Sequence, residues 1–255
     1  MAPTLFDRGN DLRVRVGLTR SHALQLGITK AILGKVNFEI IHAYGDSHAR
    51  VFAKIKNLDL LSRTLLTSCV IDGATALGMA NPNSNTNAMP IFKHNLSKTS
   101  KGSNILFHLG EVDCGFLVWV RAKNNSSVAL EMDKSLNSYT KFMENYLDTM
   151  RVHVSSVPFP SIRDYSSWGG LDNARREVSA TIEERTGLTR EYNNRLRDWA
   201  NKVGAVFVDT EPLLIDETTG LLKDDFINLD PFDHHYDPEI YANIIVKALN
   251  QLGFR

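Results

Sequence analysis

A short β-branched and aromatic run, Phe38-Glu-Ile-Ile-His-Ala-Tyr44, passes without a spacer into Gly45-Asp46-Ser47, and this junction constrains the fold more than any other segment. Apolar β-formers stopped by Gly and Asp read as a buried strand that ends in a tight turn. His48 to Leu58 then reads as a helix. The pattern recurs along the chain. Ser68-Cys-Val-Ile71 stops at Asp72-Gly73, Asn104-Ile-Leu-Phe-His-Leu109 stops at Gly110-Glu111-Val112-Asp113, and Val152 to Pro158 and Ala205 to Asp209 read as a fourth and a fifth strand. Between them, Ser126 to Arg151 carries Leu136, Tyr139, Phe142, Met143 and Tyr146 at helical spacing and reads as the main covering helix. Thr189 to Val203 reads as a helix capped by Thr189, and Pro238 to Leu252 as a closing helix capped by Asp237 with proline in its first turn. Strands alternating with helices at this spacing imply an α/β fold with a parallel sheet covered on both faces.

The chain has 255 residues, 43% of them apolar, and no stretch that reads as a linker, so one domain is expected. Residues 38–255 form that domain, and residues 1–37 are read as an N-terminal extension. Lys plus Arg number 29 and Asp plus Glu 29, a balance that argues against a nucleic-acid footprint and for a small or neutral partner. Cys69 and Cys114 are too few and too far apart for a disulfide framework or a thiolate zinc site and read as reduced, buried thiols. Met1 to Lys30 lacks the continuous apolar core of a signal peptide, and no run reaches the roughly 18 apolar residues of a membrane span. A cytoplasmic protein is the expectation. The sequons at Asn95 and Asn124 would matter only in a secreted chain.

Chemistry in such a fold belongs beyond the carboxyl ends of the strands. Three strand ends here carry polar groups on one rim: Gly45-Asp46-Ser47, Asp72-Gly73 and Gly110 to Asp113. A serine hydroxyl needs a base to take its proton, and acyl transfer needs donors where an oxyanion forms. Asp230-Pro-Phe-Asp-His-His-Tyr-Asp-Pro-Glu239, a polar loop before the last helix, can supply His235 or His234 and an orienting carboxylate. A metal reading of the histidine pair would need further ligands, for which Asp230, Asp233 and Asp237 are available. His42 and His108 lie within strands and read as core histidines. Tyr165, Trp168, Gly169 and Gly170, in the polar segment from Ser161 to Thr186, suggest a substrate lip.

These residues together carry a resemblance. Gly45-Asp46-Ser47-His48 after an apolar strand resembles the first block of the SGNH (GDSL-like) hydrolases, Ile71-Asp72-Gly73-Ala74-Thr75 their second, and His235-Tyr-Asp-Pro-Glu-Ile-Tyr241 their last, over roughly residues 38 to 252. The resemblance implies a three-layer α/β/α sandwich with a flavodoxin-like parallel sheet. It further implies a serine esterase that cleaves carboxylic esters, acetyl groups on glycans or acyl chains on lipids, with neither metal nor cofactor. In that scheme Ser47 attacks the acyl carbonyl, His235 accepts its proton, and the backbone N–H groups of Ser47 and Gly73 hold the oxyanion. Asp46 and Asp113 support the site, Asp113 as a helix cap or a brace of the Ser47 loop. Two departures stand out. Val112 occupies the place of the family's oxyanion-hole asparagine, for which Asn81, Asn83 and His108 are candidate substitutes by location. Phe232 stands three residues before His235, where the family has its triad acid; Asp233 is favoured for that role because it is near enough to reach the ring from a turn, with Asp230 as the alternative. A glycan O-acyltransferase would use the same covalent intermediate, and a non-catalytic binding module on this fold would account for Val112.

Overall fold

The structure is a computed structural model, and it describes residues 39–58, 60–123, 126–164, 178–230 and 233–255. The extension at 1–37, Asn124, and the lip residues Tyr165, Trp168, Gly169 and Gly170 lie outside the described residues.

Five parallel strands, β1 (Glu39–Gly45), β2 (Thr64–Val70), β3 (Asn104–His108), β4 (Arg151–Ser155) and β5 (Val206–Val208), form one sheet in the order β2-β1-β3-β4-β5. This is the flavodoxin-like order, with its switch point between β1 and β3. The helices are α1 (Arg50–Asn57), α2 (Ala88–Leu96), α3 (Val118–Ala122), α4 (Val128–Glu144), α5 (Ile182–Val203), α6 (Glu211–Leu214) and α7 (Pro238–Gln251). They cover both faces, giving the expected three-layer α/β/α sandwich. None of the described helices is long and apolar enough to cross a membrane.

The two cores follow from the period-2 pleat. Along β3, Ile105 and Phe107 pack with Phe92, Phe142, Tyr192 and Leu196 on one side, while Leu106 packs with Phe52, Tyr241, Ile245 and Leu249 on the other. A strand buried on both faces must be apolar throughout, which is why these runs do not alternate with polar residues.

Some boundaries differ from expectation, each for a local reason. β2 begins at Thr64, four residues before Ser68, because an edge strand tolerates the half-exposed Leu65 and Thr67. The long covering helix α4 stops at Glu144. Helix α5 starts at Ile182 and not at Thr189. Thr181 is its cap, in a reciprocal box with Glu184, while Thr189 is buried one turn past Arg185 and donates to that residue's carbonyl. Gly187 inside the helix masks this start in the sequence, since an interior glycine reads as a break. Helix α2 has no counterpart in the sequence reading.

At the carboxyl ends of the strands, Gly45 pairs in register with both Val70 and His108. The three tips are therefore level, and the segments leaving them emerge side by side. A Cβ on Gly45 would lie only 2.3 Å from the His108 carbonyl oxygen and 2.6 Å from the Ala49 Cβ. Gly45→Ala is accordingly expected to lower stability by about 3 kcal/mol, through a clash that only a shift of β1 against β3 can relieve; urea unfolding of the variant measures this.

Candidate active site

Past Gly45 the chain turns sharply. The Asp46 carboxylate accepts the His48 N–H at 2.9 Å, and the Ala49 N–H returns to the Asp46 carbonyl at 3.1 Å. This cap seats Ser47 at the start of a single 3₁₀ turn, Ser47–Ala49, that leads into α1. Ser47 is thereby fixed on a strand-to-helix turn at the switch point of the sheet.

The loop before α7 is clamped from both sides. The Asp237 carboxylate accepts the N–H groups of Glu239 and Ile240, each at 2.9 Å, and so caps α7. The Tyr236 hydroxyl donates to the Phe159 carbonyl at 2.7 Å, and the Ser161 hydroxyl donates to the His234 carbonyl at 2.7 Å. Between these anchors His235 faces the serine, its Nε2 lying 2.7 Å from Ser47 Oγ. Its Nδ1 lies 2.5 Å from Asp233 Oδ1, which also accepts the His235 backbone N–H at 2.9 Å. Asn228 donates to the other Asp233 oxygen at 3.1 Å. The carboxylate at the ring is therefore that of Asp233, while Asp230 offers its backbone carbonyl to the Asp233 N–H at 3.0 Å.

Burial holds the His235 pKa below its ordinary 6.5, and the neighbouring His48 lowers it further, against the upward pull of Asp233. For Asp233, burial pushes upward, but the two hydrogen bonds from His235 outweigh it and keep the carboxyl below its usual range. The pair thus rests as a neutral imidazole on an ionised carboxylate.

The second block contributes Gly73, in the left-handed region at φ +69, three residues past the end of β2. Asp113 holds the segment that follows. Its buried carboxylate accepts the N–H groups of Ala76 at 2.7 Å and Leu77 at 3.0 Å, and the Ser135 hydroxyl at 2.7 Å. Of the two roles read for it, a helix cap and a brace of the Ser47 loop, these bonds are those of a cap: they hold the start of the 3₁₀ turn Leu77–Ala80, from a π-turn, Asp113–Leu117, that opens the helical segment after β3. Burial pushes its carboxyl up to about 6 despite these hydrogen bonds.

The oxyanion-hole substitutes fare differently. His108 is a core histidine, with Nδ1 2.5 Å from Ser155 Oγ and Nε2 3.4 Å from the Tyr241 hydroxyl, and burial lowers its pKa to about 4. Asn81 and Asn83 sit on an exposed turn, where Asn81 Oδ1 accepts the Asn83 N–H. Val112 is buried and offers no donor from its side chain. His42 is half-buried and bonded to Thr67 Oγ1 at 2.8 Å. Cys69 and Cys114 are buried thiols, Cys69 accepting a hydrogen bond from Asn95 at 3.3 Å, and burial raises the Cys114 thiol well above its ordinary range, away from nucleophilic use.

Three residues at the site were not singled out in the sequence. Asn228 steadies Asp233. His48 is buried with its ring centre 4.6 Å from that of His235, its Nδ1 3.3 Å from Asp46 Oδ1 and 4.0 Å from Glu111 Oε2; Glu111 is itself buried. A pocket of about 190 Å³ opens beside the serine, lined among others by Ser47, His48, Arg50, Asn228, His235 and Tyr241.

Solved structures share this architecture. A GDSL-like lipase from Bacteroides thetaiotaomicron matches at a TM-score of 0.50 and 15% identity, over 84% of this chain and 87% of its own. A protein provisionally described as a platelet activating factor, from Streptococcus pneumonia, matches at 0.55 and 15% identity over 92% and 99%. A candidate arylesterase from Agrobacterium tumefaciens matches at 0.53 and 13% identity over 85% and 98%. No family model and no curated protein sequence matches the chain. The fold is that of the SGNH hydrolases, as the sequence blocks had implied.

Replacing Asp113 by Ala leaves the buried Ala76 N–H and the half-buried Leu77 N–H without their acceptor, so a loss on the order of 3 kcal/mol is expected in denaturant unfolding.

Proposed function

We propose that the protein is a serine esterase that cleaves carboxylic esters through an acyl-enzyme on Ser47. The observation that carries this reading is the unbroken line Ser47 Oγ, His235 Nε2, His235 Nδ1, Asp233 Oδ1, with links of 2.7 Å and 2.5 Å. The fold shared with lipases and esterases adds to it.

The chemistry follows from the protonation states. Neutral His235 accepts the Ser47 hydroxyl proton at Nε2 as the serine oxygen bonds to the acyl carbon. The ring is then an imidazolium, stabilised by the Asp233 carboxylate on Nδ1. The negative charge on the former carbonyl oxygen is met by the backbone N–H groups of Ser47 and Gly73. Collapse of the intermediate expels the alcohol, which takes the proton from His235. Water, deprotonated by the same ring, then attacks the acyl-serine, and collapse of that second intermediate releases the acid as Ser47 Oγ takes the proton back from His235. Val112 removes one side-chain donor from the family arrangement, and such a donor is worth about a hundred- to a thousandfold in rate. With the backbone donors alone at the oxyanion, the hydrolysis is expected to be slow. The ester is read as an acetyl group on a glycan or an acyl chain on a lipid. Within the cell the expected compartment is the cytoplasm.

Hydrolysis of p-nitrophenyl acetate, butyrate and octanoate tests the assignment. Ser47→Ala and His235→Ala are expected to abolish turnover, and Asp233→Asn to lower it by about 10³- to 10⁴-fold, since the ring loses its orienting acceptor. Turnover that persists in Ser47→Ala would remove the serine from the mechanism.

The pH profile tests the base separately. The ring must be neutral to accept the proton, and its pKa in the folded protein lies below 6.5, so activity falls only when the pH drops below that value. The acid limb of kcat/KM is accordingly expected to turn down below pH 6.5, and Asp233→Asn to move it lower still, because the carboxylate raises the ring's pKa.

A further inference from the structure

Three imidazoles meet where the proposed mechanism uses one. His48 follows the nucleophile on the 3₁₀ turn, and His234 and His235 come from the loop before α7. One ring nitrogen from each lies within 4.8 Å of those from the other two. The ring centres of His234 and His235 are 4.1 Å apart, and that of His48 is 4.6 Å from His235 and 5.4 Å from His234. Metal–nitrogen bonds of about 2.0–2.1 Å put the donors of a tetrahedral site about 3.4 Å apart, so the three rings draw together by no more than about 1.4 Å to hold an ion.

The surroundings match what a bound cation needs. Asp46 Oδ1 lies 3.3 Å from His48 Nδ1, and Asp233 Oδ1 lies 2.5 Å from His235 Nδ1. On His235 the carboxylate is hydrogen-bonded to Nδ1, which fixes the tautomer, orients the ring and makes Nε2 the better donor, the arrangement found behind metal-bound histidines, while Asp46 adds negative charge beside His48. Glu111, 4.0 Å from His48 Nδ1, adds a third carboxylate to offset a divalent charge. Imidazole donors favour zinc, copper and nickel and disfavour magnesium and calcium.

We propose that His48, His234 and His235 form a binding site for a divalent transition ion, zinc first, and that its occupation switches the esterase off. Binding takes the Nε2 lone pair of His235, which is the position that accepts the Ser47 proton. A zinc-loaded chain therefore keeps its serine but lacks its base, with water or the Ser47 hydroxyl left for the fourth position. The inhibitory half of this proposal rests on the esterase reading; the binding half does not.

Tag-free protein titrated with Co²⁺ reads the site directly, through the intense visible absorption of a tetrahedral ion. Both the wild type and Ser47→Ala are expected to develop that spectrum, and His234→Ala to weaken binding tenfold or more. In ester hydrolysis, Zn²⁺ is expected to inhibit the wild type, and His234→Ala to need at least ten times more Zn²⁺ for the same fractional loss of its own activity. His234→Gln repeats both measurements if the alanine variant is misfolded by circular dichroism. A Co²⁺ spectrum absent from wild type and Ser47→Ala, or unchanged in both His234 variants, overturns the proposal. A His234-dependent spectrum in a chain that hydrolyses no ester supports the metal site and removes the esterase reading instead.

Discussion

The approach of β1 to β3 at their carboxyl ends sets the geometry of everything above the sheet. Gly45 lies against the carbonyl of His108 at a distance no side chain would permit, and its register with Val70 makes three strand tips level. From that common level Ser47 emerges two residues past β1, Gly73 three past β2 and Gly110 two past β3. A parallel doubly-wound sheet separates its segments at this point, so groups far apart in sequence meet there with little intervening loop. Ser47 and His235, 188 residues apart, are brought to 2.7 Å because α7 packs beside α1 on the same face of the sheet.

Rigidity around the serine comes from capping more than from packing. Asp46, Asp237 and Asp113 each spend a carboxylate on backbone N–H groups, fixing respectively the nucleophile turn, the start of the histidine helix and the loop after Gly73. Charge-assisted bonds of this kind are directional, and they satisfy donors that strand ends and helix starts would otherwise leave open. The acidic residues that crowd the rim are thus largely scaffold, and Asp233 alone among them accepts a ring N–H from His235.

The strands and their alternation with helices were legible because they rest on local signals, apolar runs ended by Gly and Asp; the flavodoxin-like sheet and the choice of His235 over His234 as partner of Ser47 came instead from the resemblance of the sequence blocks to those of the SGNH hydrolases. Asp233 was legible by proximity alone, since a carboxylate two residues before the ring can reach it from a turn. What was not legible depends on three-dimensional neighbours. Nothing local separates Thr181 from Thr189 as the start of α5 when Gly187 stands between them. Asp113 supports Ala76 and Leu77, 37 and 36 residues before it, a relation that no spacing encodes. His48 looked like the first residue of a helix, and only the fold shows its buried ring against that of His235.

The proposed base has opposite requirements before and after proton transfer, and its environment meets both. Before transfer the ring must be neutral, and burial together with His48 favours that form. After transfer it is a cation, and Asp233 at 2.5 Å supplies the compensating charge on the far nitrogen. Were burial alone present, the imidazolium would be too costly to form; were the carboxylate alone present, the ring would already be protonated near neutral pH and could accept nothing. His48 adjusts this balance from a buried position beside Asp46 and Glu111, 3.3 Å and 4.0 Å from their carboxylate oxygens. The same residue that keeps the base neutral is the one that, with His234, gives the base a second possible partner. In this site tuning of the imidazole and affinity for a metal ion have a common structural origin.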